Sequence, residues 1–262
     1  MRIAMIQMEV VAGDIRKNTD HAFALLEEAA PQADVLVLPE MWTVGYDFRR
    51  LDEQANTPGD SLLTALAQWA QKHEKYLLAG SLPTREQGRL YNRSYLYGPQ
   101  GEIASYDKLH LFSLLAEPRR FTAGNRLTRA AVGEATVGCS ICYDVRFPEM
   151  YRRLTMDGAT LVAIPAEWPI SRLEAWKCLV RARAMENQIY ICAVNAVGCY
   201  RDNVFAGHSC LVAPDGTYVA LAGTEETIIY GTYDPQMVVT TRERMSVWRD
   251  RRPDIYGADT EA

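Results

Sequence analysis

The chain has 262 residues, 48% hydrophobic, 23% charged and 10% aromatic, a composition that excludes collagen, coiled coil and disorder. Its formal charge of -5 leaves no surplus of Lys and Arg for phosphates, so no nucleic-acid partner is expected. The apolar runs VLVLP and LVAIPA fall far short of the roughly 18 to 20 residues of a membrane helix, and the opening MRIAMIQMEVV reads as a strand, so no membrane partner is expected. Six cysteines, all in the second half and mostly in apolar strand-like runs, suit a reducing, cytoplasmic compartment, and Cys139, Cys178, Cys192, Cys199 and Cys210 read as small buried hydrophobes.

Short β-rich runs alternate with helical patterns, without linker or repeat, which predicts a single domain over residues 1–262. Residues 2–10 predict a strand, and Ala22, Leu25, Leu26 and Ala29 share one face of a helix. Residues 33–40, ADVLVLPE, form a buried strand; Asp60 caps a helix with Leu62, Leu66, Trp69 and Ala70 on one face, and strand YLLAGSL follows. Segments 91–97 and 103–108 flank the turn GPQG as a hairpin, which argues against a purely parallel sheet. Residues 134–142 predict a strand ending at Cys142, with Pro148 in the first turn of a helix that Gly158 ends. Strand TLVAIPA precedes a helix over 171–188 capped by Ser171; strand IYICAVNAV, a hairpin around Pro214-Asp215-Gly216 and strand EETIIYGTYD complete the pattern. About ten to twelve strands in mixed sheets, packed face to face with helices outside, are expected.

Three reactive side chains stand at or just past the ends of three predicted strands: Glu40, Lys108 and Cys142. Strand ends hold such groups rigidly while the loops around them stay accessible. A thiol nucleophile, a carboxylate to take its proton and an ammonium to stabilise an oxyanion suffice for acyl transfer. Cys139 and Cys142 are spaced CxxC, yet in an extended strand they point to opposite faces, and no Cys/His cluster completes a ligand set, so no metal is expected. The absence of GxGxxG and Walker A patterns gives no nucleotide cofactor, and GHSCL lacks the second glycine of a serine-hydrolase elbow. Asp107 and Asp144 read as loop-holding acids, and His110 as support for the Lys108 loop.

At these residues the sequence resembles the nitrilase superfamily of carbon-nitrogen hydrolases. VLVLPEMWTVGY is similar to its glutamate motif, YDKLHLF to its lysine motif and GCSICYDVRFPEMYR to its cysteine motif, and the likeness runs on through AEWP, RARAMENQ and AGTEE. The resemblance implies an α/β fold, a four-layer α-β-β-α sandwich with two mixed β-sheets, assembled as a homodimer or higher homo-oligomer. It implies Glu40, Lys108 and Cys142 as catalytic residues without cofactor, the backbone N–H of Tyr143 as an oxyanion donor, and a Cys142 thiol whose pKa Lys108 and a helix N-terminus lower. Glu117 stands where many members carry a supporting glutamate, here followed by Pro118, which favours extended backbone at Glu117. CYDVRFPE and AGTEE look most like the ω-amidase branch, which hydrolyses the terminal amide of α-keto-acid amides. In that reading Arg146 binds the substrate carboxylate, and Trp168, Tyr46 and Glu167 line the pocket; a structural ion pair is the alternative for Arg146. Other small-amide, N-carbamoyl or nitrile hydrolysis, and a catalytically idle dimeric interaction module, are the rival readings.

Overall fold

The computed structural model describes residues 1–256. Alternate residues of its first strand, β1 (Arg2–Gln7), meet different neighbours: Ile3 and Met5 face a second sheet, whereas Ala4 and Ile6 face helices, so the strand is apolar on both sides. Helix α1 (Ile15–Ala29) starts at Asp14, whose carboxylate accepts from the Lys17 N–H at 3.1 Å, and it buries Ala22, Leu26 and Ala29. Strand β2 (Val35–Val37) is shorter than the predicted run, stopping before Pro39, which has no N–H for the ladder. After the short helix α2 (Leu51–Gln54), Asp60 caps α3 (Ser61–His73) through the Leu63 N–H at 2.9 Å. Leu63, not Leu62, joins Leu66, Trp69 and Ala70 on its buried face. Strands β3 (Tyr76–Glu86), β4 (Arg89–Gly98) and β5 (Gly101–Asp107) then form a meander.

The second half repeats the plan. Its strands are β6 (Arg129–Val132), β7 (Ala135–Cys139), β8 (Leu161–Ala166) and β9 (Tyr190–Asn195), with α4 (Pro148–Met156) and α5 (Leu173–Asn187) between them. A small ribbon of β10 (Cys199–Tyr200) and β11 (Asn203–Val204) precedes β12 (Cys210–Val212) and β13 (Tyr218–Leu221). The last strand, β14 (Thr227–Thr232), returns to pair antiparallel with β1, and α6 (Pro235–Arg244) and α7 (Pro253–Tyr256) follow. The two sheets run β14-β1-β2-β3-β4-β5 and β13-β12-β9-β8-β7-β6, each with a parallel centre and antiparallel flanks. Helices α1 and α3 cover one sheet, α4 and α5 the other, and Ile3, Met5, Val37, Leu78, Val137 and Ala163 pack between the sheets. This is the expected four-layer α-β-β-α sandwich.

Several local expectations are corrected. The strand meant to end at Cys142 stops at Cys139, because the chain turns sharply to bring Cys142 to a left-handed φ of 43°. Ser171 is not a cap: a 3-10 turn over Ile170–Arg172 precedes α5, whose first turn has no side-chain cap. Glu117 opens a 3-10 turn instead of an extended segment, with Ala116 at a φ of 57° before it. Cys178 and Cys199 are exposed, unlike the other four cysteines. Strands β6, β10 and β11 and helix α6 escaped the periodicity reading because they are short or weakly patterned.

Candidate active site

Strands β2 and β5 run in the same direction, since β3 is parallel to β2 and two antiparallel steps lead from β3 to β5. Their C-terminal ends therefore deliver Glu40 and Lys108 to one end of the first sheet. The Glu40 loop lies tightly on β3, where the ladder shifts register between Leu78 and Ser81. A Cβ at Gly80 would come within 1.9 Å of the Pro39 carbonyl, so only glycine permits that approach. The Ser81 hydroxyl accepts from the Met41 N–H at 3.1 Å, and the Trp42 indole donates to the Ala79 carbonyl at 2.8 Å. Lys108 is fixed by its backbone, its N–H donating to Asn92 and its carbonyl accepting from Gly124.

Glu40 is the hub. Its Oε1 accepts from Lys108 Nζ at 2.9 Å and Asn92 Nδ2 at 2.8 Å; its Oε2 accepts from the Tyr46 hydroxyl at 3.0 Å and the Glu167 N–H at 3.1 Å. Lys108 Nζ also donates to Glu117 Oε1 at 2.9 Å, while Glu117 Oε2 accepts from the Phe112 N–H at 2.8 Å. Glu40, Lys108 and Glu117 are all fully buried, so this charge cluster is shielded from water. Burial disfavours the Lys108 ammonium, but Glu117 and Glu40 outweigh it and raise the amine well above its ordinary range. Burial raises the Glu117 carboxyl, as does Glu40, against the pull of Lys108.

Cys142 meets this cluster from the second sheet. Burial, followed by the charge of the nearby Glu40, pushes its thiol well above its ordinary range, further than Lys108 draws it down. The expected lowered thiol is thus corrected: in a dry pocket desolvation dominates, and the sulfur rests as a thiol. Asp144 shapes the turn, with Oδ2 accepting from the Ile141 N–H at 2.9 Å and the Tyr106 hydroxyl at 2.8 Å. Its Oδ1 accepts from the His110 N–H at 3.0 Å and faces His110 Nδ1 at 2.7 Å, so one buried carboxylate ties the cysteine turn to the lysine loop. From α5, Arg183 Nε donates to the Val145 carbonyl at 2.9 Å. The Tyr143 N–H lies in the first turn of the 3-10 helix Cys142–Arg146, where backbone donors lack intrahelical partners.

Cys142, Tyr46, Tyr143, Arg146, Glu167 and Trp168 line one pocket, together with Phe112, Leu115, Pro169 and Arg172. Arg146 lies over the Trp168 ring at 4.9 Å. Asn195 holds this wall, its Oδ1 accepting from the Trp168 N–H at 2.6 Å. Both carboxyl oxygens of Glu167 are buried without a hydrogen-bond partner, and burial above all raises this acid well above its ordinary range. All nine site residues read from the sequence thus converge. Asn92, Tyr106, Phe112, Asn195 and Arg172 were missed; of these only Arg172 carried a signal, as a cation at a helix start, where the macrodipole disfavours it.

The Asp144 bridge yields a prediction. Asp144→Ala strands the Ile141 and His110 N–H groups and the Tyr106 hydroxyl, and should cost about 3 kcal/mol or more in urea unfolding, with a larger proportional loss of turnover. A midpoint equal to wild type would mean that water replaces the carboxylate.

The sequence profile described as carbon-nitrogen hydrolase matches residues 2–243. The chain is 40% identical over 255 residues to 2-oxoglutaramate amidase of Bacillus subtilis (strain 168), covering 97% of this chain and 98% of that protein. It is 32% identical over 272 residues to omega-amidase NIT2 of Homo sapiens, covering 98% and 97%. Among solved structures, XC1258 of Xanthomonas campestris, described as a CN-hydrolase superfamily protein with an arsenic adduct in the active site, superposes with a TM-score of 0.91 at 28% identity, covering 96% and 97%.

Proposed function

The chain belongs to the carbon-nitrogen hydrolase family, and from that premise we propose that it is an ω-amidase, cleaving the terminal amide of α-ketoglutaramate or α-ketosuccinamate to dicarboxylate and ammonia. The observation that carries the reading is the Cys142 thiol placed beside a Glu40 that is itself bound to Lys108, with Arg146 in the pocket that Cys142 lines.

In the proposed reaction Glu40 takes the Cys142 proton as Sγ attacks the amide carbon, and the oxyanion forms between the Lys108 ammonium and the Tyr143 N–H. Such a donor is worth about 2.7 to 4 kcal/mol. Collapse breaks the carbon–nitrogen bond while Glu40 returns its proton to the nitrogen, so ammonia leaves and a thioester remains on Cys142. Water then gives a proton to Glu40 and attacks the thioester, and the second collapse releases the carboxylate and restores the thiol. Glu117 orients Lys108, to which it is hydrogen-bonded. Tyr46 orients Glu40, and Trp168 and Glu167 form the pocket wall.

We extend the proposal to a homodimer in the cytoplasm. Exposed Met185, Met245 and Ile255 offer apolar surface for a second copy, and all six cysteines are free. No helix among the described residues is long and apolar enough to cross a membrane.

The test is ammonia release across α-ketoglutaramate, α-ketosuccinamate, glutamine, an N-carbamoyl amino acid, a nitrile and butyramide. The keto-acid amides should lead by about 10³ in kcat/KM, roughly 4 kcal/mol of differential transition-state binding. A lead for any other substrate overturns the assignment. Arg146→Lys should hurt keto-acid amides more than butyramide, by about tenfold, because lysine lacks the planar fork. Equal losses would assign Arg146 to structure.

A further inference from the structure

A second arginine in the pocket has no part in the scheme above. Arg172 ends the 3-10 turn before α5, and its guanidinium lies 5.3 Å from the ring centre of Phe112, which also lines the pocket. Its carbonyl accepts from the Trp168 indole at 2.8 Å, so the turn bearing Arg172 is bonded to the ring on which Arg146 rests. The two guanidinium groups therefore approach the pocket from positions fixed relative to each other.

Neither is neutralised. Among the described residues Arg49, Arg93 and Arg183 each have a carboxylate partner, whereas Arg146 and Arg172 have aromatic rings. Glu167 is the sole acid lining this pocket, and its burial keeps the neutral form favoured. A ligand in this pocket thus meets two guanidinium cations held over aromatic rings instead of carboxylates.

We propose that Arg172 is a specificity-determining residue that acts with Arg146 to bind the 2-oxo carboxylate end of the substrate and to exclude the matching 2-amino acid amide. The assignment rests on the ω-amidase reading. A 2-oxo acid end carries three oxygen acceptors, two from the carboxylate and one from the ketone, and no donor, which complements two guanidinium groups. Glutamine has the same chain length, but its ammonium places a positive charge and three further donors against two unpaired cations. That ammonium would lose its water in a pocket whose two cations repel it. One arginine can bind either carboxylate; the second makes the neighbouring atom matter.

The test measures kcat/KM for α-ketoglutaramate, glutamine and butyramide with wild type, Arg172→Met and Arg172→Lys, each checked by thermal unfolding. In Arg172→Met the preference for α-ketoglutaramate over glutamine should fall about 10- to 100-fold, mainly through KM, and the preference over butyramide should fall as well. Arg172→Lys, which keeps the charge without the fork, should retain more discrimination against glutamine than Arg172→Met. A wild-type preference for α-ketoglutaramate that survives unchanged in Arg172→Met overturns the role of Arg172 alone, as do equal losses on all three substrates. A wild type without that preference overturns the ω-amidase reading and this assignment with it.

Discussion

Cys142→Ala will remove ammonia release, by about 10⁴-fold or more in kcat, while its thermal midpoint stays within a few degrees of wild type. The thiol is buried, so its loss leaves a small gap, but the turn that presents it is built by Asp144, Tyr106 and Arg183. Those bonds survive the substitution. No other group can replace the sulfur: Cys139 and Cys210 are buried and pushed up to about 12 by that burial, and neither lines the pocket. Mass spectrometry of a slow substrate should show an acyl adduct on wild type and none on the variant. Residual turnover within tenfold of wild type would exclude a covalent route through Cys142.

Lys108→Met should damage both chemistry and fold. The ammonium lies 2.9 Å from a Glu40 oxygen and 2.9 Å from a Glu117 oxygen, all three groups without solvent access. Removing one partner of a buried ion pair typically costs about 3 to 5 kcal/mol, because the remaining charge has nowhere to go. Turnover should fall by at least about 10²- to 10³-fold through loss of the proposed oxyanion donor. The stability deficit should also depend on pH. Without the ammonium, burial and the neighbouring acid raise the Glu117 carboxyl further in the folded state. Above the ordinary glutamate value of about 4.3 the unfolded chain releases protons that the folded variant retains, so stability declines as pH rises from there towards the raised folded value. Urea midpoints at pH 5 and pH 8 check this; a deficit equal at both would mean that the acids separate instead of protonating.

Mixed sheets with helices outside were legible from local patterns, whereas the four-layer order and the roles of the reactive trio came from the resemblance of the motifs around Glu40, Lys108 and Cys142. Apolar runs such as 161–166 and 190–195 are buried on both faces, Glu40 lies three residues past the buried β2, and Lys108 directly follows β5. The positions around Cys142 were less legible. The turn after β7 depends on Asp144 bonding across to the 106–110 segment, a contact between residues 34 or more positions apart that no periodicity encodes. The raised thiol was hidden for the same reason: a nearby cation can be read from sequence, whereas the dryness of the pocket arises only when both sheets close over it. Asn92, inside β4, looks like an ordinary strand polar residue until Glu40 is placed against it. Arg172 was obscured by the expectation of a Ser171 cap, which assigned the segment to helix initiation.

The pairing of β14 with β1 has a consequence for how the protein is made. Residues 2–7 are synthesised about 220 residues before residues 227–232, one of their two ladder partners. Translation at about 5 to 20 residues per second leaves that edge open for roughly ten seconds or more, with Ile3, Met5 and Ile6 exposed to other chains. An unpaired apolar edge is a template for intermolecular strands, so the nascent first sheet should depend on chaperone protection until the last strand arrives. Variants that loosen β14 should therefore lower soluble yield more than they lower the stability of the molecules that do fold.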